Sequence, residues 1–440
     1  MEHTKVDSTE DQSMSHLHVK YLLAGGGLAA SAAAVAIRKL DAVSPVLMIG
    51  QENNRPYNRP ALSKEYLRRG ITHEVLFTLP EGWFAQNNVD LRTGRRVAHL
   101  DTMRCAAILD DGKEISYDKL LLATGASPNR LAVSGANLPN LFYLRTLEDV
   151  ERLSNAVDQA KSEGHPHASG RGHVAVIGGG LLGVELAGTF SQMGLAVHLI
   201  VGPEHPWHRF AGDPAGAFIT RYLQHHGVEV CNGCRAVGVA GDGRVQRVNL
   251  SDGRTVVCDF AVAAVGSTAN RELLRNTPLP AEKAVLVNEY CRTVDEHIYA
   301  AGDCAAVFDP LFAKHRIIDH WDNAHVTGTI AGTNMAGGNA RYDVVNTFST
   351  EVFGLIATVW GEPRLVDRRI VRGSAGGDDA NFVEIGIAAD GRIAQVLAIG
   401  KDHESAALRL LVAGRVVVNG NQERLKDAGV PLENPGGGET

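Results

Sequence analysis

Six cysteines scattered over 440 residues do not make a disulfide framework, and a chain of this length can build its own cores, so the expected setting is a reducing one, the cytoplasm. Proline (16 residues) and aromatics (6%) are sparse, while 44% hydrophobic and 21% charged residues exclude a fibrous or disordered chain. Neither sign of charge dominates. A net charge of −7 and a pI near 6.2 give no electrostatic reason to expect nucleic acid or an anionic membrane as partner. Long apolar runs are missing too: the uncharged stretch Tyr21 to Ile37 falls short of the ~20 residues that span a bilayer, and three consecutive glycines break it. Residues 1–17 are polar and mixed in charge, without the basic start and apolar core of a secretory signal, and read as a flexible tail.

Glycine is plentiful, 48 residues, and it recurs in one arrangement. AGGGLAA at 24–30 follows the apolar strand KYLLA and opens an alanine-rich helix; IGGGLLG at 177–183 follows HVAVI and opens a second apolar helix. Strand, glycine turn and helix in that order raise GxGxxG above background. Gly25 and Gly27 allow the tight turn and close approach of a diphosphate, with Ala30 in the third glycine's position; Gly178, Gly180 and Gly183 complete the second copy, with Leu182 inside it. Either turn alone could be a β–α turn that binds nothing. Two copies point to two dinucleotides, one per Rossmann-like unit.

The strand PVLMIGQE ends at Gln51 and Glu52, where a carboxylate usually holds an adenosine ribose, and Glu52 is the better candidate. RPYNRPALSKEYL at 55–67 is too polar and proline-punctuated for a plain crossover, and by itself reads as a surface loop with Ser63 as a helix cap. Asp111-Gly112, Asp252-Gly253 and Asp390-Gly391 are hairpin signals between apolar runs.

AGGGLAA, RPYNRPALSKEYL, YDKLLLATGASP (117–128), IGGGLLGVELAG (177–188) and IYAAGDCAAVFDP (298–310) together resemble the FAD-dependent pyridine nucleotide-disulfide oxidoreductases, in the ferredoxin reductase, apoptosis-inducing factor and monodehydroascorbate reductase branch. The resemblance implies an α/β fold with two Rossmann-like dinucleotide-binding domains and a C-terminal α+β domain with an antiparallel sheet. On that pattern the FAD domain covers 18–148 and 258–340, the NAD(P) domain 149–257, and the last domain 341–440. It implies FAD contacts at Arg59, Lys64, Val97, Thr124, Gly125, Gly302, Asp303 and Trp321, and NAD contacts at Leu182, Glu204 and Gly266. Without it, Asp303 could be a helix N-cap and Trp321 a core residue. It further implies that Lys64 and Glu185 meet as an ion pair beside flavin N5; taken alone they are a solvated helix charge and a first-turn acid.

Departures from the family pattern matter as well. No CxxxxC follows the first glycine turn, so the disulfide relay of the glutathione-reductase group is missing. CNGC at 231–234 has redox-motif spacing in the wrong context, and no metal site is expected. Ser349 stands where the family carries an aromatic on the acceptor side, and the strand AVHLIV ends in Gly202 and Pro203 instead of an acid, with Glu204 the nearest carboxylate. The expected activity is NAD(P)H oxidation by an FAD enzyme, NADH favoured over NADPH, with electrons leaving to a ferredoxin, rubredoxin or Rieske-type carrier, since the chain has no recognisable relay of its own. A quinone or monodehydroascorbate reductase and a redox-sensing flavoprotein resembling apoptosis-inducing factor are the alternatives, the chain acting as monomer or homodimer.

Overall fold

The computed structural model describes residues 17–162, 170–376, 381–400, 405–418, 422–430 and 432. Residues 1–16 of the expected tail lie outside them, while Leu17, expected in the tail, opens the first strand. Among the described residues no helix is long and apolar enough to cross a membrane.

Val89–Arg92, Val46–Ile49, Leu17–Ala24, Glu114–Leu122 and Ile298–Ala300 lie side by side as a parallel sheet. Tyr21 to Ala24 are buried on both faces, as the central strand of a two-sided parallel sheet requires. The first half of Glu114–Leu122 turns to antiparallel pairing with Ala106–Leu109, which pairs in turn with Val97–Asp101. The helices Leu28–Leu40 and Trp321–Met335 pack backbone to backbone: a Cβ on Gly328 or Gly332 would stand 2.2 and 2.3 Å from the carbonyl oxygens of Ala29 and Ala33. Small residues four apart on each helix permit this closeness and bring the two helices together from opposite ends of the sequence.

The second parallel sheet runs Val228–Cys231, Ala196–Ile200, His173–Ile177, Phe260–Ala263 and Leu141–Phe142. It reaches a few residues beyond 149–257 at each end. Ala236–Ala240, Arg247–Leu250 and Thr255–Val257 form an antiparallel appendage to it. A five-stranded antiparallel sheet, Thr347–Val352, Leu355–Gly361, Ile393–Ile399, Asn381–Ala388 and Val366–Ser374, follows. The three Asp-Gly pairs each close an antiparallel hairpin, with Gly112, Gly253 and Gly391 at φ of +83°, +86° and +77°.

Polar clamps dock the last sheet on both parallel units. Buried Glu384 accepts from the backbone N–H groups of Gly212 (2.7 Å) and Ala215 (2.9 Å), capping the Asp213–His225 helix. Gln395 Nε2 donates to the Phe210 carbonyl at 2.6 Å. Arg316 is buried with Asp309 and Glu362, donating to Glu362 Oε2 at 2.8 Å and to the Gly361 carbonyl at 2.7 Å. These clamps fix where the strand Thr347–Val352 meets the other two units.

Candidate active site

Both glycine turns leave open space in front of a helix start. Gly25 (φ +147°) and Gly178 (φ +122°) hold conformations closed to other residues, and a Cβ on either would stand 2.1 and 2.2 Å from the carbonyl oxygens of Ala123 and Ala264. Gly183 packs as tightly, 1.8 Å from the Gly178 oxygen. Gly27 and Gly180 differ: a Cβ there meets nothing within 4 Å, so the space before each helix is open. Neither helix start carries a side-chain cap or an acid in its first turn, which leaves free N–H groups and a positive dipole end facing that space. Ala30 is buried against the sheet.

Lys64 and Glu185 meet. Lys64 Nζ lies 2.8 Å from Glu185 Oε1, with the side chains 18% and 10% exposed. Lys64 follows the 3-10 turn Arg59–Ser63, and Glu185 stands on the helix Leu181–Gln192 behind the second glycine turn. Two further donors hold the carboxylate: Ser63 Oγ at 2.6 Å on Oε2 and Thr350 Oγ1 at 2.7 Å on Oε1. Thr189, one helical turn beyond Glu185, donates to the Ser63 carbonyl at 2.7 Å. All three sheet units thus contribute to one ion pair. A small pocket opens beside it, lined by Glu65, Arg68, Gln192, Glu351 and Phe353 along with the pair. Sequence reasoning missed Ser63 as a partner, Thr189 and Thr350; Ser63 was legible beside Lys64, and the other two carry no local signal.

Asp303 follows Gly302 (φ +76°), and its Oδ2 accepts from Arg145 Nη2 at 2.9 Å. Arg145 also passes 3.2 Å from where a Cβ on Gly125 (φ +68°) would sit, which ties the ATG segment to Asp303; it too was missed. Thr124 is bound both ways to Asn270, by its hydroxyl at 2.7 Å and its carbonyl at 2.9 Å. Val97 is buried at the start of its strand.

Glu52 is engaged within its own loop: Arg59 takes one carboxylate oxygen and the Tyr57 hydroxyl the other. Arg59 also donates to the Arg145 carbonyl at 2.6 Å. Burial works against the Arg59 charge, but Tyr57 and Glu52 more than offset it and its pKa is raised. Gln51, one residue earlier, is exposed and makes no hydrogen bond among the described residues.

Trp321 is 43% exposed at the first turn of its helix and stacks on His325, so it is not a core tryptophan. Beside it the N-cap residue His320 stacks on Phe348 at 4.0 Å between ring centroids, and burial holds its pKa below the usual 6.5. Ser349 points the other way, exposed, with its Oγ 3.0 Å from Thr358 Oγ1 on the neighbouring strand.

At the second nucleotide turn Glu204 is exposed and Gly266 (φ +96°) stands near Arg209. Cys231 and Cys234 are buried free thiols; burial pushes the Cys231 thiol up, and Cys234 Sγ sits 2.9 Å from Asp252 Oδ2 and 3.1 Å from Arg254 Nη2.

Two glycine-turn units joined through a Lys–Glu bridge define a two-dinucleotide oxidoreductase. Residues 19–328 match the pyridine nucleotide-disulphide oxidoreductase family, and the chain belongs to it. Within that family its similarity falls among ferredoxin reductases. It is 30% identical to rhodocoxin reductase of Rhodococcus erythropolis, over 89% of each chain. It is also 30% identical to the ferredoxin–NAD(+) reductase component of the biphenyl dioxygenase system of Paraburkholderia xenovorans, over 93% of this chain and 96% of that one. Among solved structures it superposes on a ferredoxin reductase from Rhodopseudomonas palustris with a TM-score of 0.86 at 28% identity, covering 94% of this chain and 99% of that one. The covalent putidaredoxin reductase–putidaredoxin complex gives 0.87 at 27% identity, over 95% and 98%.

Proposed function

We propose that this protein oxidises NADH through bound FAD and delivers the electrons to a ferredoxin-type carrier. The observation that carries the reading is the Lys64–Glu185 bridge, formed where the Arg59–Ser63 turn, the helix behind the second glycine turn and the antiparallel sheet converge. FAD supplies the exchange between a two-electron donor and one-electron acceptors; everything else is the work of the chain. The open turn at Gly27 holds the FAD diphosphate on helix N–H groups, and the turn at Gly180 does the same for NADH. Asp303, steadied by Arg145, would hydrogen-bond the ribityl chain, and Thr124, Gly125 and Val97 are further residues that would hold the cofactor. With Glu52 held by Arg59 and Tyr57, the ribose position passes to Gln51. Lys64 presents a cation where negative charge accumulates, and Glu185 orients it.

On this reading 18–148 and 258–340 are the FAD domain and 149–257 the NAD domain, the latter completed by the flanking strands Leu141–Phe142 and Phe260–Ala263. Six free cysteines fit a cytoplasmic setting. The acceptor is supported by the roles of the ferredoxin reductase relatives and by the missing disulfide relay. The test is anaerobic: NADH should bleach the flavin of the purified protein, and an oxidised [2Fe–2S] ferredoxin should restore its colour. Flavin that NADH does not reduce would refute the proposal.

A further inference from the structure

We infer that Arg235 makes a 2′-phosphate position beside Gly202, so that the protein takes NADPH as well as NADH. The inference rests on the NADH site proposed above. In such a unit the nucleotide's 2′ position is met at the C-terminal end of the second strand, where a carboxylate selects the hydroxyl and an arginine the phosphate. That strand is Ala196–Ile200, and Gly202 follows it.

Two arginines and a histidine come near the site, and two of the three are misplaced. His205 is buried, with Nδ1 2.8 Å from the Pro206 carbonyl and Nε2 3.5 Å from Asp213. Arg209 reaches Gly266, its Nη2 3.6 Å from where a Cβ would be. Gly266 follows the strand Phe260–Ala263, and the strand His173–Ile177 lies between that and Ala196–Ile200, a separation of about 10 Å at sheet spacing.

Arg235 is in place. Its Cγ and Nε lie 3.3 and 3.7 Å from the Cβ position of Gly202, so its stem crosses the end of the second strand. The backbone beneath is fixed: the CNGC turn donates from Cys234 N to the Val201 carbonyl (3.0 Å) and from Gly233 N to the Pro203 carbonyl (2.8 Å), and Arg235 N donates to Ser251 Oγ (3.1 Å). Among the described residues no carboxylate pairs with its guanidinium, which is exposed. This gives the CNGC motif a part, as the turn that presents the arginine. An acid at position 202 would neutralise Arg235, and glycine leaves it available. Glu204, exposed two residues on, remains to accept the ribose hydroxyls of NADH.

The test is calorimetric titration of the oxidised holoprotein with ADP-ribose and with 2′-phospho-ADP-ribose. The wild type should bind the phosphorylated probe at least as tightly. Arg235→Ala should weaken it about tenfold, the loss of one charge-assisted hydrogen bond, and leave ADP-ribose unchanged; Arg235→Lys should recover part of the loss. Catalytic efficiency with NADPH should fall in parallel. Tight ADP-ribose binding with the 2′-phospho probe rejected, or equal loss of both probes in Arg235→Ala, overturns the inference alone. Binding of neither probe by the wild type overturns the nucleotide site with it.

Discussion

Removing either member of the Lys64–Glu185 bridge should slow flavin reduction while leaving FAD bound, and removing both should be little worse than removing the lysine. Lys64 Nζ sits 2.8 Å from Glu185 in a mostly buried setting. Loss of a preorganised electrostatic donor at a site of developing charge costs on the order of 10² in rate, so Lys64→Met should fall by about that factor. Glu185→Gln keeps the shape of the side chain but frees the lysine to reorient, about a tenfold loss, or ~1.4 kcal/mol of transition-state free energy. Because Glu185 acts through Lys64, the double variant should repeat the Lys64→Met rate, a coupling of about the full Glu185 effect. Thr350→Val removes the 2.7 Å hydrogen bond to Glu185 and should cost about fivefold, the worth of one net hydrogen bond near 1 kcal/mol. Anaerobic stopped-flow absorbance with NADH reads all four rates, and the visible spectrum verifies that flavin remains. Multiplicative losses in the double variant would refute the claim that the pair acts as a unit, and wild-type rates in both single variants would return the two residues to structural charges.

Gly27→Ala should fold but lose FAD, because its methyl enters open space in front of the helix; Gly180→Ala should keep FAD and raise the KM for NADH, both read from flavin content and steady-state rates. Arg316→Leu leaves Asp309 and Glu362 buried around a missing cation and should destabilise the holoprotein by about 3 kcal/mol in urea unfolding. His320 has a pKa depressed below 6.5 in the folded chain, so its contribution is complete above pH 6.5 and is lost as pH falls below that value, where the unfolded chain takes up the proton first. The fall in thermal midpoint between about pH 7.5 and 5.5 should flatten in His320→Asn.

What the sequence reveals depends on how far apart the interacting residues lie. Both glycine turns are local devices, so their strand–turn–helix form was legible from spacing alone. The hairpins at Gly112, Gly253 and Gly391 were legible for the same reason. Lys64 and Glu185, over a hundred positions apart, could be paired only through a resemblance. Thr350 and Arg145 contribute by the docking of distant units, to which neither periodicity nor motif points. Glu52 stands at the expected offset from the first glycine turn, but the loop beyond it folds Arg59 and Tyr57 back onto its carboxylate. The boundary strand Leu141–Phe142 is two residues long, too short to have a period. At the second nucleotide turn, nearness in sequence pointed to Glu204, whereas the fold brings Arg235 to Gly202.

On the proposed reading, electrons enter from NADH, rest on FAD beside Lys64 and leave to a ferredoxin-type carrier. It is tested most directly by reducing the holoprotein with one equivalent of NADH without oxygen, then mixing it in a stopped-flow instrument with oxidised [2Fe–2S] ferredoxin or with a soluble quinone. The account expects flavin absorbance to return with ferredoxin, two carriers reduced per flavin, and faster than with quinone at equal concentration. Flavin that stays bleached with ferredoxin while quinone reoxidises it would contradict the account.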